Sequence, residues 1–278
     1  MEDLQASGKL SDNETFRSYI EGKVYALPDD FLDAKSLIIM AVYTPIARAD
    51  FEYHGERREI VIPHQYYDSG VTKKQLETTI HEQIIQDKGF RVEIARNVFL
   101  KQVAVRSGLG RYGKNNLCYV GNMGSLITLY AFWTDFEFDS YDWTELAMMD
   151  ACKTCKICSN QCPTHAIRES EFVIDAGRCI SLYNEVNGEF PEWIPSNAHN
   201  ALMGCLRCQQ KCPANRSALD HVIQLDTVIE AETRAILNGA FDETLSETLG
   251  TKLSKFSAAT SAEYFPIFTR NLTVLLKP

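Results

Sequence analysis

The first stretch with a clear hydrophobic pattern is Ser36 to Tyr43, a continuous apolar run of strand length that Pro45 ends. Such a run predicts a strand covered on both faces, central in a sheet. Before it, residues 1–34 are polar and predict only a helical lead-in over residues 12–21. After it, residues 50–70 mix charged and aromatic side chains with no clear period and read as a long loop. Leu76, Ile80 and Ile84 then recur every four residues and Gly89 stops the pattern, so a helix is predicted over 72–88. His81 beside that stripe reads as an ordinary helix histidine. Residues 90–95 alternate as a strand and 98–106 make a short helix. Residues 117–133 are β-rich, and a turn at 121–124 divides them into a hairpin. Toward the end, 218–238 and 245–256 look helical, and the apolar 264–268 folds back on the body.

Between the last strand signal and those helices the hydrophobic period gives way to cysteines. Eight of the nine lie between Cys152 and Cys212. Cys152, Cys155, Cys158 and Cys162, the last followed by Pro163, match the bacterial ferredoxin spacing C-x2-C-x2-C-x3-C-P, in which the fourth thiolate ligates the other cluster of a pair. The mechanical reason is reach: three cysteines two residues apart wrap one cubane, and the proline starts a helix that carries the fourth away. Cys205, Cys208 and Cys212, followed by Pro213, form a second run one ligand short, and the isolated Cys179 is the obvious donor. The crossing rule gives Cys152, Cys155, Cys158 and Cys212 to one [4Fe-4S] cluster, and Cys162, Cys179, Cys205 and Cys208 to the other. Zinc closes with four ligands and gives a third cysteine at this spacing no role. Disulfides need an oxidising compartment, yet the chain opens Met1-Glu-Asp-Leu-Gln with no secretory signature. Cys118 sits in an apolar stretch and reads as a buried thiol.

Composition adds limits. At 278 residues, 45% of them hydrophobic, the chain suits one large domain or two small ones with a real core. No apolar run approaches the ~20 residues of a membrane span, and the expected location is the cytoplasm. A net charge of -9 argues against broad nucleic-acid binding. Against that background, 94–134 holds no acidic residue but contains Arg96, Lys101, Arg106, Arg111 and Lys114, which reads equally as a solvated basic face or as a site for an anionic ligand. Within it, Gly108, Gly110 and Gly113 fit G-x-G-x-x-G, but they follow a helix and precede a strand, the reverse of the dinucleotide motif. These glycines turn the chain, or let backbone approach a flat ligand.

The cysteine order, the segment from Arg106 through Gly108, Gly110, Tyr112, Gly113 and Lys114 to Asn115, and the later Gly124-Ser125 together resemble the epoxyqueuosine reductase family and its reductive dehalogenase relatives. The resemblance implies an α+β protein. A nitroreductase-like α/β corrinoid-binding domain would occupy 1–145, a two-[4Fe-4S] ferredoxin-like domain 146–216, and a short helical C-terminal segment 217–278. It also implies a cobalamin, or a flavin in its place, bordered by Gly108, Gly110, Tyr112, Gly113, Lys114, Asn115, Gly124 and Ser125. The family's catalytic Asp falls at Ile94 in the ungapped match, beside Glu93, and the helical tail of the tRNA enzymes is reduced. The expectation is therefore a corrinoid-dependent reductase fed by a ferredoxin or flavodoxin. Its substrate would be a small molecule or corrinoid protein, with tRNA unlikely, and its proton donor would come from Tyr66, Tyr67 or His64. The alternative is an electron-transfer protein or reductive activator that docks on a corrinoid or flavin protein and turns over no substrate.

Overall fold

The computed structural model describes residues 8–21, 26–140 and 143–277; the opening residues 1–5 and Tyr141 in the expected linker fall outside them. A short helix, α1 (Glu14–Ile20), is capped by Asn13, whose side chain accepts from the Phe16 amide. The chain then enters a three-stranded antiparallel sheet of β1 (Ser36–Tyr43), β7 (Ile127–Thr134) and β4 (Val92–Ile94), in the order β1-β7-β4. The expected central strand is thus an edge strand. Its apolar run comes from cover on both faces. Ile38, Met40 and Val42 meet Leu76 and Ile80 of the helical segment after it, while Ile39 and Ala41 meet Ala104 and Val105 of α3 (Leu100–Arg106). Two-sided burial, and not sheet position, is what such a run reports.

The predicted loop at 50–70 is in large part a β-hairpin, β2 (Ile46–Tyr53) and β3 (Glu56–Ile62). His54 and Gly55 both take positive φ, as a two-residue hairpin turn requires. Along β2, Ala47, Ala49 and Phe51 are buried, while Arg48, Asp50 and Glu52 face outward. The helix at 72–88 starts on a capping box between Thr72 and Gln75 as α2 (Lys73–Thr79). It passes into a π-helical turn over Ile80–Ile85 and stops at Gln86, in the left-handed region, three residues before the expected Gly89.

The expected hairpin across 117–133 does not form. β6 (Cys118–Tyr119) pairs instead with β5 (Arg111–Tyr112), and β7 leaves for the larger sheet. Three short helices carry the cysteine module: α4 (Ile157–Gln161), α5 (Ile180–Asn184) and α6 (Arg207–Gln210). Residues 218–238 are only partly helical, because β8 (Val222–Gln224) adds a parallel strand to β2 before α7 (Glu230–Leu237) begins.

The remaining helices, α8 (Glu243–Lys252), α9 (Ser257–Thr260) and α10 (Phe265–Leu276), pack on the β2–β3 hairpin. Phe51, Phe256, Phe265 and Phe268 meet edge to face in that core, and Leu202 and Met203 of the cysteine module join it. No helix among the described residues is long and apolar enough to cross a membrane.

Candidate metal centre and adjoining cavity

All nine cysteines are free thiols. The eight of the module fall into two neighbourhoods. The thiol of Cys158 feels Cys152, Cys212 and Cys155, and that of Cys152 feels Cys212 and Cys155. The thiol of Cys179 feels Cys205 and Cys162, and that of Cys208 feels Cys205 and Cys179. Cys158 also reaches Cys208, so the two groups adjoin. Among the described residues, no three His, Cys, Asp or Glu gather tightly enough to hold a single metal ion. Thiolates on one tetrahedral zinc stand about 3.8 Å apart at the usual 2.3 Å bond, and a cubane, which gives each thiolate its own iron corner, holds them farther apart.

Burial pushes up the thiols of Cys152, Cys158, Cys179, Cys205 and Cys208, those of Cys158 and Cys179 to about 11, so iron must displace protons there to bind. Several donors stand ready for the thiolates. The Asn200 amide nitrogen lies 3.1 Å from Cys205 Sγ, the Ala166 N–H 3.3 Å from Cys162 Sγ, and the Tyr119 hydroxyl 3.4 Å from Cys212 Sγ. Asn115 donates to that hydroxyl at 3.0 Å and also bonds Cys208, so one side chain reaches the second thiol group directly and the first through Tyr119. Tyr119 and Asn200 carried no spacing signal, because each reaches its sulfur only through the fold.

The glycine loop proves to be a collar for this module. Lys114 is buried and donates to the Cys155 carbonyl at 2.8 Å. The Ser125 N–H donates to Asn215 Oδ1 at 2.8 Å, and its hydroxyl donates to Gln209 Oε1 at 2.9 Å. Gly124 has φ +58, and a Cβ there would collide with Asn215, so no side chain fits. Gly108 closes α3, Gly110 bonds back to the Ala104 carbonyl, and Gly113 pairs with Leu117. Of the eight residues expected to border a ring cofactor, Tyr112 also lines the cavity beside the module, stacked on Phe172 at 4.5 Å.

That cavity has a volume of about 580 Å³. Phe16, Tyr19 and Ile20 of α1, Phe99, Lys101 and Gln102 of α3, the segment 172–174, and Cys179, Leu182 and Glu185 line it. Lys101 is half-buried and donates to the Asn116 carbonyl and side-chain oxygens, both at 2.8 Å; burial lowers it to about 8. Glu185 accepts from the Tyr66 hydroxyl, and burial raises its carboxyl. Both residues escaped the sequence reading, Lys101 as one of five basic residues in a window and Glu185 because it stands outside any motif.

The three proposed proton donors separate. Tyr66 is drawn to Glu185, while Tyr67 donates to the Pro45 carbonyl beneath the hairpin. His64 is buried, with a backbone bond to Ile127 and an unpartnered Nδ1, and burial lowers it to about 4. Glu93, beside the position expected to match the family's Asp, is half-exposed on β4 and ion-paired with Arg91 at 2.6 Å. The basic window does not form one patch either, since Lys114 is buried, Lys101 is bonded to Asn116 and Arg106 lies over the Trp143 ring.

Two adjoining thiol groups on short helices, beside a cavity, define an iron-sulfur protein of the double-cluster class: residues 151–215 match the 4Fe-4S double cluster binding domain. Over a longer span the chain is similar to epoxyqueuosine reductases. It is 31% identical over 193 residues to that of Cellulophaga algicola, covering 68% of this chain and 61% of the relative. Against the Staphylococcus aureus protein it is 28% identical over 206 residues, 72% of this chain and 52% of the relative. The chain thus spans between half and two thirds of the length of these relatives. In fold it resembles the structure of epoxyqueuosine reductase from Streptococcus thermophilus, with a TM-score of 0.67 at 20% identity, covering 99% of this chain and 74% of that one. It also resembles an epoxyqueuosine reductase with an epoxyqueuosine-modified tRNA stem loop, with a TM-score of 0.62 at 19% identity, covering 99% of this chain and 80% of that one.

These likenesses overturn two expectations. Neither a corrinoid-dependent reductase of small molecules nor a docking protein without turnover matches relatives that are named as epoxyqueuosine reductases. The view that tRNA is an unlikely partner falls with the tRNA-bound structure.

Proposed function

We propose that this chain is a member of the epoxyqueuosine reductase family and reduces the epoxide of epoxyqueuosine in tRNA with electrons from two [4Fe-4S] clusters. Cys152, Cys155, Cys158 and Cys212 hold one cluster, and Cys162, Cys179, Cys205 and Cys208 hold the other. The observation that carries the reading is the placement of Cys179: this ligand of the second cluster is itself a wall of the cavity, so an electron leaving that cluster has a substrate-sized space beside it. The first cluster adjoins through Asn115, Cys158 and Cys208.

The cavity's volume lies in the range of ligand sites, and its largely apolar walls fit a flat ring. A corrinoid or flavin seated there would add low-valent metal or flavin redox chemistry, with Tyr112, Phe172 and Phe99 as its contacts. The rest is this chain's own work: Lys101 places a cation in the wall, and the apolar side chains exclude water. The test is the anaerobically reconstituted full chain, reduced with dithionite and given an epoxyqueuosine-modified tRNA stem loop. The expected product has lost the mass of one oxygen atom. An unchanged nucleoside beside intact clusters, with the cofactor extract of the native protein added back, rejects the reading.

A further inference from the structure

In the ungapped match the family's acidic position falls at Ile94, and Glu93 beside it is tied to Arg91 on β4. The cavity nevertheless has an acid of its own. Glu185 follows α5, six residues after the cluster cysteine Cys179, and lines the same wall. Its Oε1 accepts from the Tyr66 hydroxyl, and the Tyr66 oxygen accepts in turn from Gln65 Nε2 at 3.2 Å. The Gln65 side chain is exposed, so the chain Glu185–Tyr66–Gln65 runs from the cavity wall to solvent.

Its surroundings hold that chain in place. The Tyr66 ring lies against Gly204, which has φ +61 and no room for a Cβ, directly before the cluster cysteine Cys205. On the other side α10 grips the backbone around Glu185. Arg270 donates to the carbonyls of Tyr183, Val186 and Gly188, and Asn271 donates to that of Asn184 at 2.9 Å. Tyr19 from α1 faces Glu185 across the cavity, and Lys101 from α3 lines the cavity while bonded to Asn116. Burial in this setting favours the neutral carboxyl, and the Tyr66 hydroxyl opposes that in part.

We propose that Glu185, held and resupplied by Tyr66, is the proton donor of the cavity, taking up a proton as the neighbouring cluster gains an electron and giving it to the substrate. The inference rests on the proposed reduction. In that reaction two C–O bonds of the epoxide break, a C=C bond forms and the oxygen leaves as water. Two electrons come one from each reduced cluster and are restored by a low-potential one-electron donor. Glu185 gives the first proton to the departing oxygen; the Tyr66 hydroxyl, oriented by the Gln65 amide, then passes its proton to the carboxylate and takes one back from water, and Glu185 gives the second.

Two measurements on E185Q, E185D and Y66F decide it, each in full-length protein with wild-type iron and sulfide content. The first is the midpoint potential of each cluster, titrated with pH by electron paramagnetic resonance. In the wild type one potential falls with rising pH, by at most 59 mV per unit for a one-electron, one-proton couple. That slope vanishes in E185Q and survives in E185D. The second is single-turnover reduction of the modified stem loop, which should fall at least about 100-fold in E185Q, the usual scale of general-acid catalysis, and less in Y66F. A slope unchanged in E185Q overturns the proposal whatever the substrate. Turnover within threefold of wild type in E185Q, a threshold on the order of experimental scatter against the expected loss, overturns it as well. If the slope behaves as expected while the wild type leaves epoxyqueuosine untouched, the substrate assignment falls and the proton donor stands.

Discussion

Single side chains around the thiols tune what the clusters do. The Tyr119 hydroxyl points at Cys212 Sγ and is itself held by Asn115. A hydrogen bond to a cluster sulfur stabilises the more negative, reduced state and so raises the potential. Tyr119→Phe should lower the potential of the first cluster by about 40 mV, the equivalent of a hydrogen bond worth about 1 kcal/mol; redox titration checks it. His64 makes a different kind of statement, about stability. Its buried ring is held near a pKa of about 4 by desolvation, against about 6.5 in the unfolded chain. Between those values the unfolded chain binds a proton that the native ring refuses, so stability is lost as pH falls through the window. The loss from this ring should be about 2 kcal/mol between pH 7 and pH 5. Denaturant midpoints should therefore drop less on acidification in His64→Leu than in the wild type.

Helix α10 links the hydrophobic core to the site. Its buried face supplies Phe265, Phe268 and Leu272 to the cluster around Phe51, and its Arg270 and Asn271 fasten the segment that carries Glu185. Phe268 is fully buried, and Phe268→Ala should destabilise the protein by about 3–5 kcal/mol, read by chemical denaturation. Asn271→Ala strips donors from the carbonyls of Asn184 and Leu202, at about 1–3 kcal/mol for each group left unpaired. At this scale the sequence was uneven. The helix at Lys73–Thr79 was legible from its four-residue stripe. The β2–β3 hairpin was not, because two inward positions of β2, Ala47 and Ala49, are alanine and its outward Arg48, Asp50 and Glu52 mix charge signs, so the contrast that marks a strand was faint. The hairpin expected at 121–124 failed for a tertiary reason: Asn215 of the cysteine module shapes that turn.

Over the whole molecule, the cysteine module was the most legible part, since ligand spacing is a covalent constraint that survives without knowledge of packing. What the spacing could not show is how the rest closes on it. The glycine loop reads in isolation as a ligand cradle, and in the fold it braces Cys155 and Asn215. The tRNA partner was set aside on the family's Asp falling at Ile94 and on a reduced tail, with net charge arguing only against broad nucleic-acid binding, yet none of these says how much of the relatives' fold is retained. The claim on which everything above depends is that eight cysteines sort across the two runs into two four-iron sites. Iron and sulfide analysis with Mössbauer spectroscopy on the anaerobically purified full chain, with Cys179→Ala and Cys212→Ala alongside, tests it most directly. The account expects about eight irons per wild-type chain as two [4Fe-4S] clusters, with Cys179→Ala disturbing one set of four and Cys212→Ala the other. Zinc at these thiols, or both variants disturbing the same set, would contradict it.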